Sequence, residues 1–139
     1  MIYLLSTQAL LDLLTGDSKM ESWIKDKPAQ GIEVSAVSIG QVLHLINKET
    51  DAAFRKELTG AFEKLLLGLR RYQGIIPLDE SASKTWATLM SMTLMHGESK
   101  HVSPETRMVI ASALTRNAIL VDAVRPYHSQ LPSLKIQSP

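Results

Sequence analysis

The polar residues best suited to chemistry stand at the ends of apolar runs. Ser6 follows residues 2–5, Ser35 follows residues 32–34 and Asp122 follows residues 118–121. If those runs are neighbouring parallel strands, their carboxyl ends share one edge, where ligands gather in open α/β sheets. Asp122 is then the carboxylate best placed for acid–base or metal work. Glu105 fits a first-turn acid favoured by a helix dipole, and Asp12 falls on the polar side of a helix, so the three acids do not form a cluster. His44, His96, His101 and His128 share no paired spacing on one face, and a metal or catalytic site needs converging partners. Ser6, Ser35 and Ser38 lack an identifiable base and oxyanion hole, so they read as caps rather than nucleophiles. The sequence holds no cysteine, which removes thiolate chemistry. Gly60 and Gly68 are isolated within a helical pattern, so no phosphate-cradling loop is present.

Two binding surfaces are candidates. Arg107, Arg116, Arg125, Lys100 and His101 come from segments expected to border the pocket mouth and to hold RNA phosphates. Met90, Met92 and Met95, with Trp23 and Trp86, are adaptable and aromatic groups of the kind that meet protein partners. Fifteen Lys and Arg balance fourteen Asp and Glu, so no global field draws the chain to nucleic acid, and any such contact must be local.

The elements that must position these groups follow from spacing. Residues 2–5 predict a strand, with Thr7 as the cap of a helix through Leu10, Leu13 and Leu14 that Gly16 ends. Asp17 and Ser18 start a second helix with Met20, Trp23 and Ile24. Residues 32–35 predict a second strand, followed by a helix bearing Val42, Leu43 and Ile46. Phe54, Leu58, Ala61, Phe62, Leu65 and Leu69 stripe a long helix over 51–71. Ile75 and Ile76 form a third strand, and Asp79 starts a helix through Ala82, Trp86, Leu89, Met90 and Met92 or Leu94 that runs to Gly97. Ser103 and Pro104 open a helix toward Asn117; residues 118–121 and 134–136 are the last strands. Strands alternating with helices predict an α/β fold with a parallel sheet covered on both faces.

The 139 residues are expected to form one soluble domain over 1–139, large enough to fold without a metal or disulfide. No apolar stretch approaches the roughly 20 residues of a membrane span. The first residues lack a basic n-region, so no secretory signal is expected, and a cytoplasmic location fits.

Four blocks in order resemble the PIN-domain family, specifically small VapC-type toxins of bacterial toxin–antitoxin pairs. They are residues 1–8 (MIYLLSTQ), 34–42 (VSAVSIGQV), 103–114 (SPETRMVIASAL), and 118–122 (AILVD) with the later LPSL of 131–134. The resemblance covers almost the whole chain. It implies a three-layer α/β/α fold with a short central parallel sheet, and a ribonuclease whose acids hold Mg²⁺ or Mn²⁺. It also implies a homodimer that binds an antitoxin peptide. The family's acidic positions fall here on Ser6, Gln41, Thr106 and Val124, its nearby Asn falls on Gln8, and the residual acid is Asp122. With one carboxylate where three or four are usual, the reading is a retired active site, a VapC-like protein that works by binding protein or RNA and needs no cofactor. The competing readings are an active Mg²⁺- or Mn²⁺-dependent ribonuclease built on Asp122, and a structural or regulatory module.

Overall fold

A computed structural model describes residues 1–97 and 100–139. The chain runs β1 (Tyr3–Leu5), α1 (Thr7–Thr15), α2 (Ser18–Lys25), β2 (Ile32–Ser35), α3 (Ala36–Asn47) and α4 (Ala52–Arg71). It continues through β3 (Ile75–Ile76), α5 (Glu80–Met90), α6 (Pro104–Thr115), β4 (Ile119–Val121) and β5 (Lys135–Gln137). The strands form one sheet in the order β3-β2-β1-β4-β5, every neighbouring pair parallel.

Successive strand residues point to opposite faces, which divides the core in two. Leu4, Leu120 and Ile76 pack with Leu89, Val109, Ile110 and Tyr127 on one side. Leu5, Val34 and Val121 pack with Leu10, Met20, Val42 and Phe62 on the other. The α/β fold with a covered parallel sheet is therefore present as the spacing predicts.

Each helix begins with a Ser or Asp whose side-chain oxygen accepts a backbone N–H of the first turn: Ser6, Asp17, Ser35, Asp51, Asp79 and Ser103. These caps satisfy donors that the helices leave unpaired. Ser6, not Thr7, caps α1: its hydroxyl accepts from the Ala9 N–H at 3.0 Å. Along α4 the buried centre is Phe62 and Leu66, whereas Phe54 and Ala61 are exposed.

α5 stops at Met90 rather than continuing to Gly97. The cause lies on α6. Arg107 is buried, and a buried guanidinium requires acceptors. It donates to the carbonyls of Met92 (2.7 Å), Val102 (3.0 Å) and Leu89. Those bonds hold the end of α5 and the chain beyond it out of a helical path. Past that point Met95 and His101 form an antiparallel bridge instead.

Candidate functional site

β1 is central, with β2 on one side and β4 on the other. The order of strands reverses there, and this switch point opens a crevice at the strands' carboxyl ends. Ser6 leaves β1 and Asp122 leaves β4 at this edge, and the Ser6 N–H donates to the Val121 carbonyl at 3.0 Å. A cavity of about 240 Å³ lies here, and it brings together Ser6, Gln8, Gln41, Thr106, Asp122 and Arg125. Thus Ser6, Gln41 and Thr106, three of the four positions that the resemblance gives as acidic, converge with Gln8 and Asp122 from distant parts of the sequence.

Every hydroxyl proton in the cluster can be followed. Ser6 donates to Asp122 Oδ1 at 3.1 Å while accepting from Ala9. Thr7 Oγ1 donates to Gln41 Oε1 at 2.6 Å. A hydroxyl has a single proton, so in the 2.8 Å contact between Thr7 and Ser38 it is Ser38 that donates. Ser103 donates to Thr106 Oγ1 at 2.9 Å, which leaves the Thr106 proton and the Gln41 amide N–H groups for the cavity.

The charge balance differs from a metal site. Asp122 is 7% exposed, and the Arg125 guanidinium lies 3.8 Å from its Oδ1. Among the described residues no three His, Asp or Glu side chains gather around a common point. Mg²⁺ sheds its waters reluctantly and relies on anionic oxygens. Among the described residues the donor set of one Ser-bonded carboxylate with a cation beside it does not suit Mg²⁺ or Mn²⁺.

Beyond Asp122 the chain makes a tight return over residues 122–128. His128 Nδ1 accepts the Arg125 N–H at 2.9 Å, and Tyr127 meets His128 edge-on with centroids 4.5 Å apart. Burial pushes the Tyr127 phenol up to about 12; the Asp122 charge adds to this and Arg125 opposes it. Burial also lowers His128, against a smaller upward pull from Asp122 and with a further lowering by Arg125. His96 lines the cavity and stacks on Tyr127, centroids 6.2 Å apart. Tyr127 was missed in the sequence; its signal was an aromatic residue in a proline-bounded segment.

Several predicted residues lie elsewhere. Val124, at a family ligand position, is 76% exposed and does not line the cavity. The expectation that Arg107 and Arg116 border the pocket mouth is corrected. Arg107 is spent on carbonyls between α5 and α6, as above. Arg116 reaches back to Glu33 on β2, Nε to Oε1 at 2.7 Å, and that bond raises its pKa. Ser35 is buried as the cap of α3. His44, Lys100, His101 and Glu105 are exposed outside the cavity lining. Asp12 accepts from Gln8 at 2.9 Å. Of the candidate partner groups, Met90 is exposed, whereas Trp86 donates to the Pro104 carbonyl at 3.1 Å and ties α5 to α6.

No family description and no curated protein matches this chain. Solved structures do. VapBC2 from Rickettsia felis, bound to a DNA fragment from its promoter, aligns at a TM-score of 0.76 and 15% identity, covering 100% of this chain and 99% of that one. FitAcB from Neisseria gonorrhoeae aligns at 0.78 and 14%, covering 97% and 96%. DNA-bound VapBC from Salmonella typhimurium aligns at 0.78 and 12%, covering 99% and 98%. Over its whole length, therefore, the chain has the PIN/VapC-like fold.

Proposed function

We propose that this chain is a VapC-like protein that has given up metal-dependent ribonuclease chemistry and acts by binding an antitoxin-like protein partner, as a homodimer. The observation that carries the reading is an acid that already has a counter-charge within the protein. Among the described residues Asp122 is the one carboxylate lining the cavity, Ser6 donates to one of its oxygens, and Arg125 supplies the counter-charge that a metal otherwise would. Ser6, Gln41 and Thr106 keep the cavity polar without giving it net charge. The partner is supported by the similar structures, which include toxin–antitoxin complexes.

A Mn²⁺ titration followed by thermal unfolding tests the first half. A ligand that binds only the native state at 100 times its Kd stabilises by about 2.7 kcal/mol. No saturable rise in melting temperature is expected for the wild-type chain at millimolar Mn²⁺. The triple variant Ser6→Asp, Gln41→Glu, Thr106→Asp is expected to gain one. A saturable wild-type rise abolished by Asp122→Ala revives the ribonuclease reading. Sedimentation of the chain alone tests the homodimer, and sedimentation after mixing with purified VapB-type antitoxins tests the partner. A monomer that forms no complex favours the structural-module reading.

A further inference from the structure

The same cavity carries two opposite charges with hydrogen-bonding capacity to spare. Asp122 Oδ1 and Arg125 Nη2 are 3.8 Å apart, beyond hydrogen-bond range, so neither group uses up the other. A carboxylate has about four acceptor sites, and among the described residues Asp122 gives one to a side chain, that of Ser6. The Arg125 side chain makes no hydrogen bond there, and its Nε is buried without a partner. Shielding such groups from water is costly unless something pairs with them.

The pairing excludes most ligands on electrostatic grounds. A bare cation attracted by Asp122 meets Arg125, and a bare anion attracted by Arg125 meets Asp122. A molecule that carries both charges a few ångströms apart gains from each. The remaining donors are asymmetric: the Gln41 amide N–H groups and the Thr106 hydroxyl proton are unspent, and both suit a carboxylate. Size limits the choice further, since about 240 Å³ is below the roughly 300–1,000 Å³ of pockets for larger organic ligands. Val109, Ile110 and Leu120 give the cavity an apolar part.

We propose that this cavity is a binding site for a free apolar α-amino acid, its ammonium group facing Asp122 and its carboxylate facing Arg125, Gln41 and Thr106. A peptide terminus brings only one of the two charges, so the free zwitterion is the better match. The inference rests on the reading that the cavity holds no divalent metal.

Titration calorimetry of the full chain with L-leucine tests it, alongside 3-methylbutylamine, which lacks the carboxylate, and 4-methylpentanoate, which lacks the amine. Saturable binding of L-leucine is expected, with each analogue weaker by about tenfold or more. Asp122→Asn and Arg125→Met, checked for folding by their own melting curves, are expected to weaken it by a similar factor. Because the analogue comparison uses the wild-type chain, a variant that fails to fold leaves the test intact. Equal binding of either analogue, or no saturable signal from any of the twenty standard amino acids, overturns the proposal. Running Mn²⁺ in the same instrument separates the two readings. Saturable Mn²⁺ binding that Asp122→Ala abolishes overturns both; absence of Mn²⁺ and amino-acid binding together overturns this one alone.

Discussion

Arg107 and Asp122 show how far a residue's neighbours decide its role. Arg107 has the charge of a phosphate ligand, yet it is buried and gives its donors to three carbonyls. Arg107→Met keeps the volume and removes the donors, leaving the Met92 and Val102 carbonyls unsatisfied at about 1–3 kcal/mol each, whereas the Leu89 carbonyl still accepts the Met92 N–H. A loss of roughly 3 kcal/mol or more in urea unfolding is expected. A loss below about 1 kcal/mol would show that those carbonyls find other partners. Tyr127 gives a spectroscopic check of the environment of Asp122. Its raised pKa, to about 12, means that one of the three tyrosines stays protonated in the folded chain near pH 11, about one unit above the ordinary phenol value. Ultraviolet difference titration of wild type against Tyr127→Phe measures it. Asp122 was legible as a strand-end acid because an apolar run points to it. Its position beside Arg125 was not, although Arg125 is three residues away, because sequence does not reveal that the return over 122–128 brings the guanidinium within 3.8 Å of the carboxylate.

At the scale of elements, starts were more legible than stops. A Ser or Asp before an apolar stripe marks a helix start by a bond made within a few residues, and Asp17, Asp79 and Ser103 act as read. The end of α5 depends on Arg107, which is distant in sequence. Gly74 and the glycines of α4 separate space from propensity. A Cβ at Gly74 would fall 2.6 Å from the Ile32 carbonyl oxygen, whereas at Gly60 and Gly68 it meets nothing within 4 Å. Gly74→Ala is expected to cost about 1–3 kcal/mol, since crowding forces the β2–β3 backbone apart. Gly60→Ala and Gly68→Ala should each stabilise α4 by up to about 1 kcal/mol. Thermal melts of the three variants decide it; destabilisation by the α4 changes would mean that those sites are occupied in solution, as by a second copy or a partner.

For the molecule as a whole, stability should depend on the return that closes the cavity. Burial lowers the pKa of His128 below its ordinary value of 6.5, so the folded chain holds that ring neutral while the unfolded chain takes up a proton first. Where the unfolded state binds more protons, stability rises with pH. The His128 contribution is therefore complete above pH 6.5 and declines as pH falls from there toward the lower folded-state value. His128→Asn retains an oxygen able to accept the Arg125 N–H, and its melting temperature should fall less than that of wild type as pH drops below 6.5; parallel curves would remove His128 as the cause. By itself the sequence determined the strands, most helices and their order, because apolar period and capping residues act over a few positions. It also showed that Ser6, Gln41 and Thr106 are not acids, a matter of composition that no fold can alter. Only the tertiary structure decided that these three meet Asp122 in one cavity, that Arg125 rather than Arg107 or Arg116 stands beside it, and that Val124 turns to solvent. Those outcomes depend on contacts between β1, α3, α6 and the segment after β4, which lie far apart along the chain and become neighbours only once the parallel sheet has formed.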